Sequence, residues 1–152
     1  MKLINIMLLI LLLLLVASLA GCLQTKKAEP FKATNVSIIN VATDRPAYSP
    51  GDTVIGSVAV ENIGNNTIDK LTVWVTAKNL NYAWAGDKAQ TKFPVEYKDL
   101  NLMPGGKTAL NATINIPKEV SGFSTAGEYE LRVEVYLEKQ LCDYKVLKMS
   151  VR

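Results

Sequence analysis

The sequence predicts a single all-β domain in which two sheets cover each other, joined to an apolar N-terminal segment. Three observations carry that expectation. From Thr34 onward apolar and polar residues alternate with period two, the pattern of strands with one dry and one wet face. Clusters of Pro, Gly, Asn and Asp interrupt the alternation every dozen or so residues, in the way that ends strands. No stretch after residue 22 holds a convincing helical period. Each strand needs cover for its dry face, so sheets pack in pairs; a small closed barrel would meet the same need.

The elements follow in order. Asn35 to Ala42 is β-branched enough for a first strand, and the Pro, Gly and Asp residues of 44–52 make a turn. Thr53 to Glu61 is the next strand, with Val54, Val58 and Val60 on one face. After the Asn- and Gly-rich loop 62–66, residues 68–78 place Leu71, Val73, Val75 and Ala77 on one face. Thr72, Trp74, Thr76 and Lys78 take the other. Residues 79–92 break the period and read as a long loop. Phe93, Val95 and Tyr97 resume it as an edge strand, because Pro94 has no amide proton to donate. Met103 to Gly106 is a turn before residues 107–116, where Leu110, Ala112, Ile114 and Ile116 share a face and Pro117 stops the strand. Residues 128–139 alternate most clearly, with Tyr129, Leu131, Val133, Val135 and Leu137 against a run of glutamates on a solvated face. The last strand, 143–152, changes phase between Val146 and Leu147, which suggests a β-bulge there. About seven strands result, the number and turn spacing of an immunoglobulin-like β-sandwich, without the Cys…Trp…Cys signature of antibody domains.

The N-terminal segment carries the strongest local signal. One cation, Lys2, precedes an uncharged run from Leu3 to Ala20, and the small residues Ala20 and Gly21 stand directly before Cys22. A basic start, an apolar stretch and small residues at a cut site are the pattern of an export signal. Leu19-Ala20-Gly21-Cys22 resembles the cleavage motif of bacterial or archaeal lipoproteins. That resemblance implies removal of residues 1–21 and a two-chain lipid on Cys22, which would hold the protein stably on a membrane. The run is 18 residues long, or roughly 27 Å as a helix. An uncleaved membrane-spanning anchor is therefore the competing expectation. Either way the expected location is the cell membrane, with residues 34–152 on its extracytoplasmic side and residues 22–33 as a polar linker.

Composition narrows the chemistry. The chain has no histidine, so Ser–His–Asp and Cys–His catalysis cannot be assembled from it, and the commonest metal ligand is missing. A formal net charge of +3 marks a solvated surface and gives no sign of nucleic-acid binding. With Cys22 assigned to lipid, Cys142 has no partner within the chain and reads as a small buried hydrophobe. Asp44 and Asp52 flank the first turn with oxygen ligands, but no Asp-rich loop with calcium spacing accompanies them. No cofactor, metal site or enzymatic activity is expected.

Family likeness rests on turn chemistry. Tyr48-Ser-Pro-Gly-Asp-Thr-Val54, Val58-Ala-Val-Glu-Asn62 with Gly64, Leu102-Met-Pro-Gly105 and Gly127-Glu-Tyr-Glu-Leu-Arg-Val133 resemble cell-adhesion-related (CARDB-type) domains. The first of these stretches is similar to macroglobulin-type and arrestin-like sandwiches, and Ile116-Pro117 before a Gly-Tyr strand suits arrestins as well, while Trp84, Phe93 and the Pro104-Gly105 turn are similar to a proteinase-inhibitor sandwich. An arrestin needs a second sandwich and the inhibitors are intracellular, so the CARDB-type likeness is preferred.

The candidate contact surface is the loop 79–92, longer than ordinary strand connections. Tyr82, Trp84 and Lys88 supply the aromatic area and the polar tips that recognition loops use. The competing expectation is that Trp84 folds inward and plugs the end of the domain. Trp74 could stack outward on a sugar or partner, or be covered by a neighbouring side chain. Asn35, Asn65 and Asn111 each begin an Asn-x-Ser/Thr glycosylation pattern, with Asn65 in a loop and Asn111 on an outward face. The expected function is that of a lipid-anchored, non-enzymatic surface module contacting another envelope protein or a polysaccharide. The alternative is an inhibitor or regulator of an envelope enzyme, such as a protease.

Overall fold

The computed structural model describes residues 35–152, and the motif 19–22 and the linker 22–33 lie outside them. The described chain is all-β with one short helix. Seven strands of eight or more residues correspond to the seven that alternation predicts: β1 (Val36–Thr43), β3 (Thr53–Asn62), β4 (Leu71–Asn79), β5 (Gln90–Tyr97), β6 (Lys107–Asn115), β9 (Gly127–Leu137) and β10 (Gln140–Val151). Three two-residue strands join them: β2 (Ala47–Tyr48), β7 (Glu119–Val120) and β8 (Phe123–Ser124). One sheet has the order β1-β3-β6 and a second β2-β10-β9-β4-β5, with β7 and β8 as a separate hairpin. β5 is an edge strand, as the proline at its centre requires.

The two main sheets share a core. Val36, Ile38, Val58, Val60 and Leu110 of the first form one cluster with Leu71, Val73, Val75, Val133, Val135 and Cys142 of the second. Of these, Val58, Val60, Leu71, Val73, Val75, Leu110, Val133 and Val135 are residues that period two places together on one face of their strands. Cys142 is 3% exposed and burial pushes its thiol pKa up, which fits a small core hydrophobe. Asn62 is fully buried and ties the corner after β3. Its Nδ2 donates to the carbonyls of Asn66 and Leu102, both at 2.8 Å, and its Oδ1 accepts from the Gly64 amide at 3.0 Å.

Three expectations are corrected. Residues 79–92 are not a loop: Leu80–Ala89 winds into a 3-10 helix, interrupted at Tyr82 and Gly86, and Gln90 already belongs to β5. Short helices of this kind carry little sequence period, and none of this one's residues is buried, so no apolar stripe announces it. The bulge in the last strand falls at Leu141–Asp143, whereas pairing with β9 is continuous through Val146 and Leu147. Polar residues occupy the inward phase there because they serve β1. Asp143 Oδ2 accepts from the Ile38 amide at 2.9 Å, and Lys145 Nζ donates to the Ile39 carbonyl at 2.7 Å. These side chains satisfy backbone groups of an edge strand that a sheet would otherwise leave open. The glutamates of β9 are not uniformly solvated either. Glu134 is only 17% exposed and pairs with Arg132 at 2.8 Å, while the Arg132 guanidinium lies 4.0 Å from the centre of the Tyr144 ring.

The turn between β1 and β3 is held by Asp44. It accepts from the Tyr48 hydroxyl at 2.7 Å and the Ile55 amide at 2.8 Å, and these bonds to the charged form hold its carboxyl below the usual range. A carboxylate with a lowered folded-state pKa adds stability above its ordinary value of 3.8, and that stability is lost as pH falls through the lower folded value. The wild type should therefore lose thermal stability below about pH 4 more steeply than Asp44→Asn. Thermal melts at a series of acidic pH values check this, and parallel curves would count against it.

Candidate functional site

The site begins with a short side chain. Along the inward face of β4, Leu71, Val73 and Val75 are large and buried, but the next inward position is Ala77. Its register partner across β5 is Thr91, also small, so the sheet floor is left low at this end. The 3-10 helix rises on one side of the floor and the β7–β8 hairpin on the other. Between them lies a groove of about 660 Å³.

Each wall is built locally. The helix is capped by Asn79, whose side-chain oxygen accepts from the Asn81 amide at 2.9 Å. Asn81 in turn accepts from the Glu128 amide at 3.3 Å, which ties the helix to the start of β9. That approach requires a glycine at 127: a Cβ there would sit 3.1 Å from the Asn79 side-chain oxygen, and its φ is +146°. The hairpin turns at Ser121 and Gly122, both at positive φ (52° and 79°), the backbone of a two-residue type I′ turn. Thr125, 5% exposed, fastens its base. The Thr125 hydroxyl donates to the Pro117 carbonyl, and its own carbonyl accepts from the Tyr129 hydroxyl at 2.8 Å.

All three loop residues singled out by the sequence line this groove: Tyr82, Trp84 and Lys88. Trp84 does not fold inward. It is 80% exposed, and the two other large apolar side chains on the groove wall, Val120 and Phe123, are 46% and 55% exposed. Tyr82 meets the Phe123 ring edge-on with centroids 5.6 Å apart, so helix and hairpin touch through aromatic faces. Alternation alone missed the hairpin, since Val120-Ser-Gly-Phe123 is too short to show a period. Its Ser-Gly pair between two apolar residues was the available signal.

Truncating an exposed side chain leaves no cavity. Trp84→Ala should change folding stability by no more than about 0.5 kcal/mol. A thermal melt checks this, and a large drop would mean that the indole holds the two walls together.

The remaining candidates lie elsewhere. Trp74 is half-buried on the outer face of the five-stranded sheet, paired in register with Pro94 on one side and Glu134 on the other. Asn35, Asn65 and Asn111 are all exposed, Asn111 on the outward side of β6. Asp44 and Asp52 share the Arg45 guanidinium, at 3.3 and 3.2 Å, so their charges are already matched within the turn. Among the described residues no group of three or more acidic or cysteine side chains is placed to hold a metal ion. Among the described residues, too, no helix is long and apolar enough to cross a membrane.

The groove lies at the far end of the domain from Asn35, where the described chain begins. Asn35 borders a cleft with Ile68, Leu137 and Glu138, whereas Tyr129 borders the groove. Tyr129 lies near the start of β9 and Leu137 at its end, with roughly 26 Å of strand between them.

No protein-family model and no curated protein matches the chain by sequence. Solved structures match by shape. The C-terminal domain of wzt is 10% identical, with 84% of this chain covering 79% of that one at a TM-score of 0.59. The Pseudomonas fluorescens alkylpurine DNA glycosylase AlkC is 15% identical over 79% of this chain at a TM-score of 0.56, and the chain spans only 31% of its length. A CARDB domain of Pyrococcus furiosus is 14% identical, with 81% and 97% covered and a TM-score of 0.47. At such identities the first two likenesses concern the β-strand arrangement alone.

Proposed function

We propose that this chain is a lipid-anchored, non-enzymatic binding module of the cell envelope, an immunoglobulin-like sandwich of CARDB type held at the membrane through Cys22. Residues 1–21 act as the export signal and 22–33 as the linker. The groove beside Trp84 is its contact surface, and an envelope protein is its partner. One observation carries this reading. Trp84 stands 80% exposed beside Phe123 and Val120 on a groove of 300–1,000 Å³ size class, at about 660 Å³. Contiguous exposed apolar side chains are costly to keep in water, and on a monomer they mark interaction sites. The absence of histidine from the whole chain supports a binding role over a catalytic one.

A polysaccharide partner is the second reading, favoured by the outer sheet face. There Trp74 lies beside the Arg132–Glu134 pair, an aromatic surface next to hydrogen-bonding groups. The inhibitor alternative draws less support. It needs a loop that protrudes into a target, and residues 80–89 instead form one wall of a concavity.

Full-length protein cross-linked in its own membranes and affinity-captured is the test. A partner recovered with the wild type and lost with Trp84→Ala is expected. A partner retained by Trp84→Ala but lost on Trp74→Ala would move the contact to the outer face.

A further inference from the structure

We infer that the groove accepts an extended peptide segment of the partner protein, carrying one bulky apolar side chain with a carboxylate close beside it. The inference rests on the reading of the groove as the contact surface and names what that surface recognises.

The apolar half of the requirement comes from the floor and walls. Ala77 and Thr91 leave the depth, and Tyr82, Trp84, Val120 and Phe123 surround it with aromatic and aliphatic surface. A bulky aliphatic side chain entering there removes its own surface and three exposed hydrophobic ones from water. At about 25 cal/mol per Å² this is the main source of affinity.

The charge half comes from Lys88. Among the described residues it is the only charged side chain on the groove wall, and no carboxylate lines it. Among the described residues no ion pair involves Lys88, although six other pairs form on this small surface. Lys92, four residues on and also exposed, is likewise without an ion pair among the described residues. An apolar cavity with an unmatched cation at its rim is complementary to an apolar group with a single negative charge.

The peptide form comes from β5. It is the edge of the five-stranded sheet, and its residue Thr91 lines the groove. An edge strand leaves one row of backbone donors and acceptors open, and an extended segment can pair with it while its alternate side chains point into the adjoining pocket. The Gln90 amide is already used by the Asp87 carbonyl, and Pro94 has no amide proton. This leaves the short stretch Thr91–Phe93 for pairing, enough for three residues of partner chain.

The experiment uses fluorescence. The chain has two tryptophans, so in a Trp74→Phe background the emission reports Trp84 alone. Full-length protein in lipid nanodiscs is titrated with three blocked peptides, Ser-Thr-Ile-Leu-Xaa-Thr-Ser, in which Xaa is Asp, Asn or Lys. A saturable blue shift is expected for the Asp peptide, with at least threefold weaker binding of the Asn peptide and weaker binding still of the Lys peptide. Lys88→Glu should reverse the order of Asp and Lys, and Phe123→Ala should weaken all three. Equal binding of the three peptides, or an order that Lys88→Glu leaves unchanged, overturns the inference. No shift with any peptide also overturns it. In either case Trp84-dependent capture of a partner from membranes would leave the contact surface standing, and loss of that capture too would remove both. A shift produced by polysaccharide and by no peptide would replace the inference with a sugar-binding groove.

Discussion

Cys22→Ser is expected to move the protein from the membrane fraction to the soluble fraction while leaving the fold of residues 35–152 unchanged. A single acyl chain gives only marginal, reversible membrane binding with an association constant on the order of 10⁴ M⁻¹, whereas two chains anchor stably. The resemblance at Leu19–Cys22 implies two chains on that one sulfur, so removing it removes the whole anchor. The polar linker that follows offers three lysines, Lys26, Lys27 and Lys32, as compensating contacts with lipid headgroups. Membrane fractionation, with the mass of the N-terminus determined in parallel, reads the result. A Cys22→Ser protein that stays in the membrane with residues 1–21 still attached would establish the membrane-spanning anchor instead.

Asn62→Ala is expected to cost roughly 2–4 kcal/mol of folding stability. Asn62 is fully buried, and its side chain makes three hydrogen bonds, two within the corner 62–66 and one to Leu102. Its removal takes from the Leu102 carbonyl one of its two donors, leaving the Ile68 amide, leaves the Gly64 amide with its longer bond to the Asn35 carbonyl, and returns the exposed Asn66 carbonyl to water. Three lost hydrogen bonds at about 0.5–1.5 kcal/mol each give that range. For a domain of this size the melting temperature should fall by roughly 10 °C. Thermal or urea unfolding measures it. The backbone of the same residue is also committed, donating to Gly106 and accepting from Gly105. A drop of only a degree or two would mean that water replaces the amide and that the corner is held by backbone pairing alone.

The two sheets were legible because their strands obey one rule. Val54, Val58, Val60, Leu71, Val73, Val75, Leu131, Val133 and Val135 are all buried, and all were assigned inward by counting in twos. The Asn62–Gly64 corner and the start of β9 at Gly127 were legible for a different reason: each demands a particular side chain or a positive φ that few residues can supply. The last strand was misread where a tertiary contact overrode the local rule. Asp143 and Lys145 occupy the inward phase because edge strand β1 needs hydrogen-bond partners, and no count along β10 alone reveals a need arising some hundred residues earlier.

The candidate site divides in the same way. Its chemistry was visible in the chain, since Tyr82, Trp84 and Lys88 interrupt a run of strands and resist any periodic reading. Its shape was not. Whether Trp84 faces water or core depends on what the hairpin Val120–Phe123 places opposite it, and the two segments are separated by some thirty-five residues. By itself the sequence determined an all-β chain with an apolar N-terminal segment and no histidine chemistry, because strand period and residue inventory are local properties. The tertiary structure alone decided that Ala77 and Thr91 would form a low floor with Trp84 and Phe123 standing above it. A groove is a relation between distant side chains, and packing sets that relation.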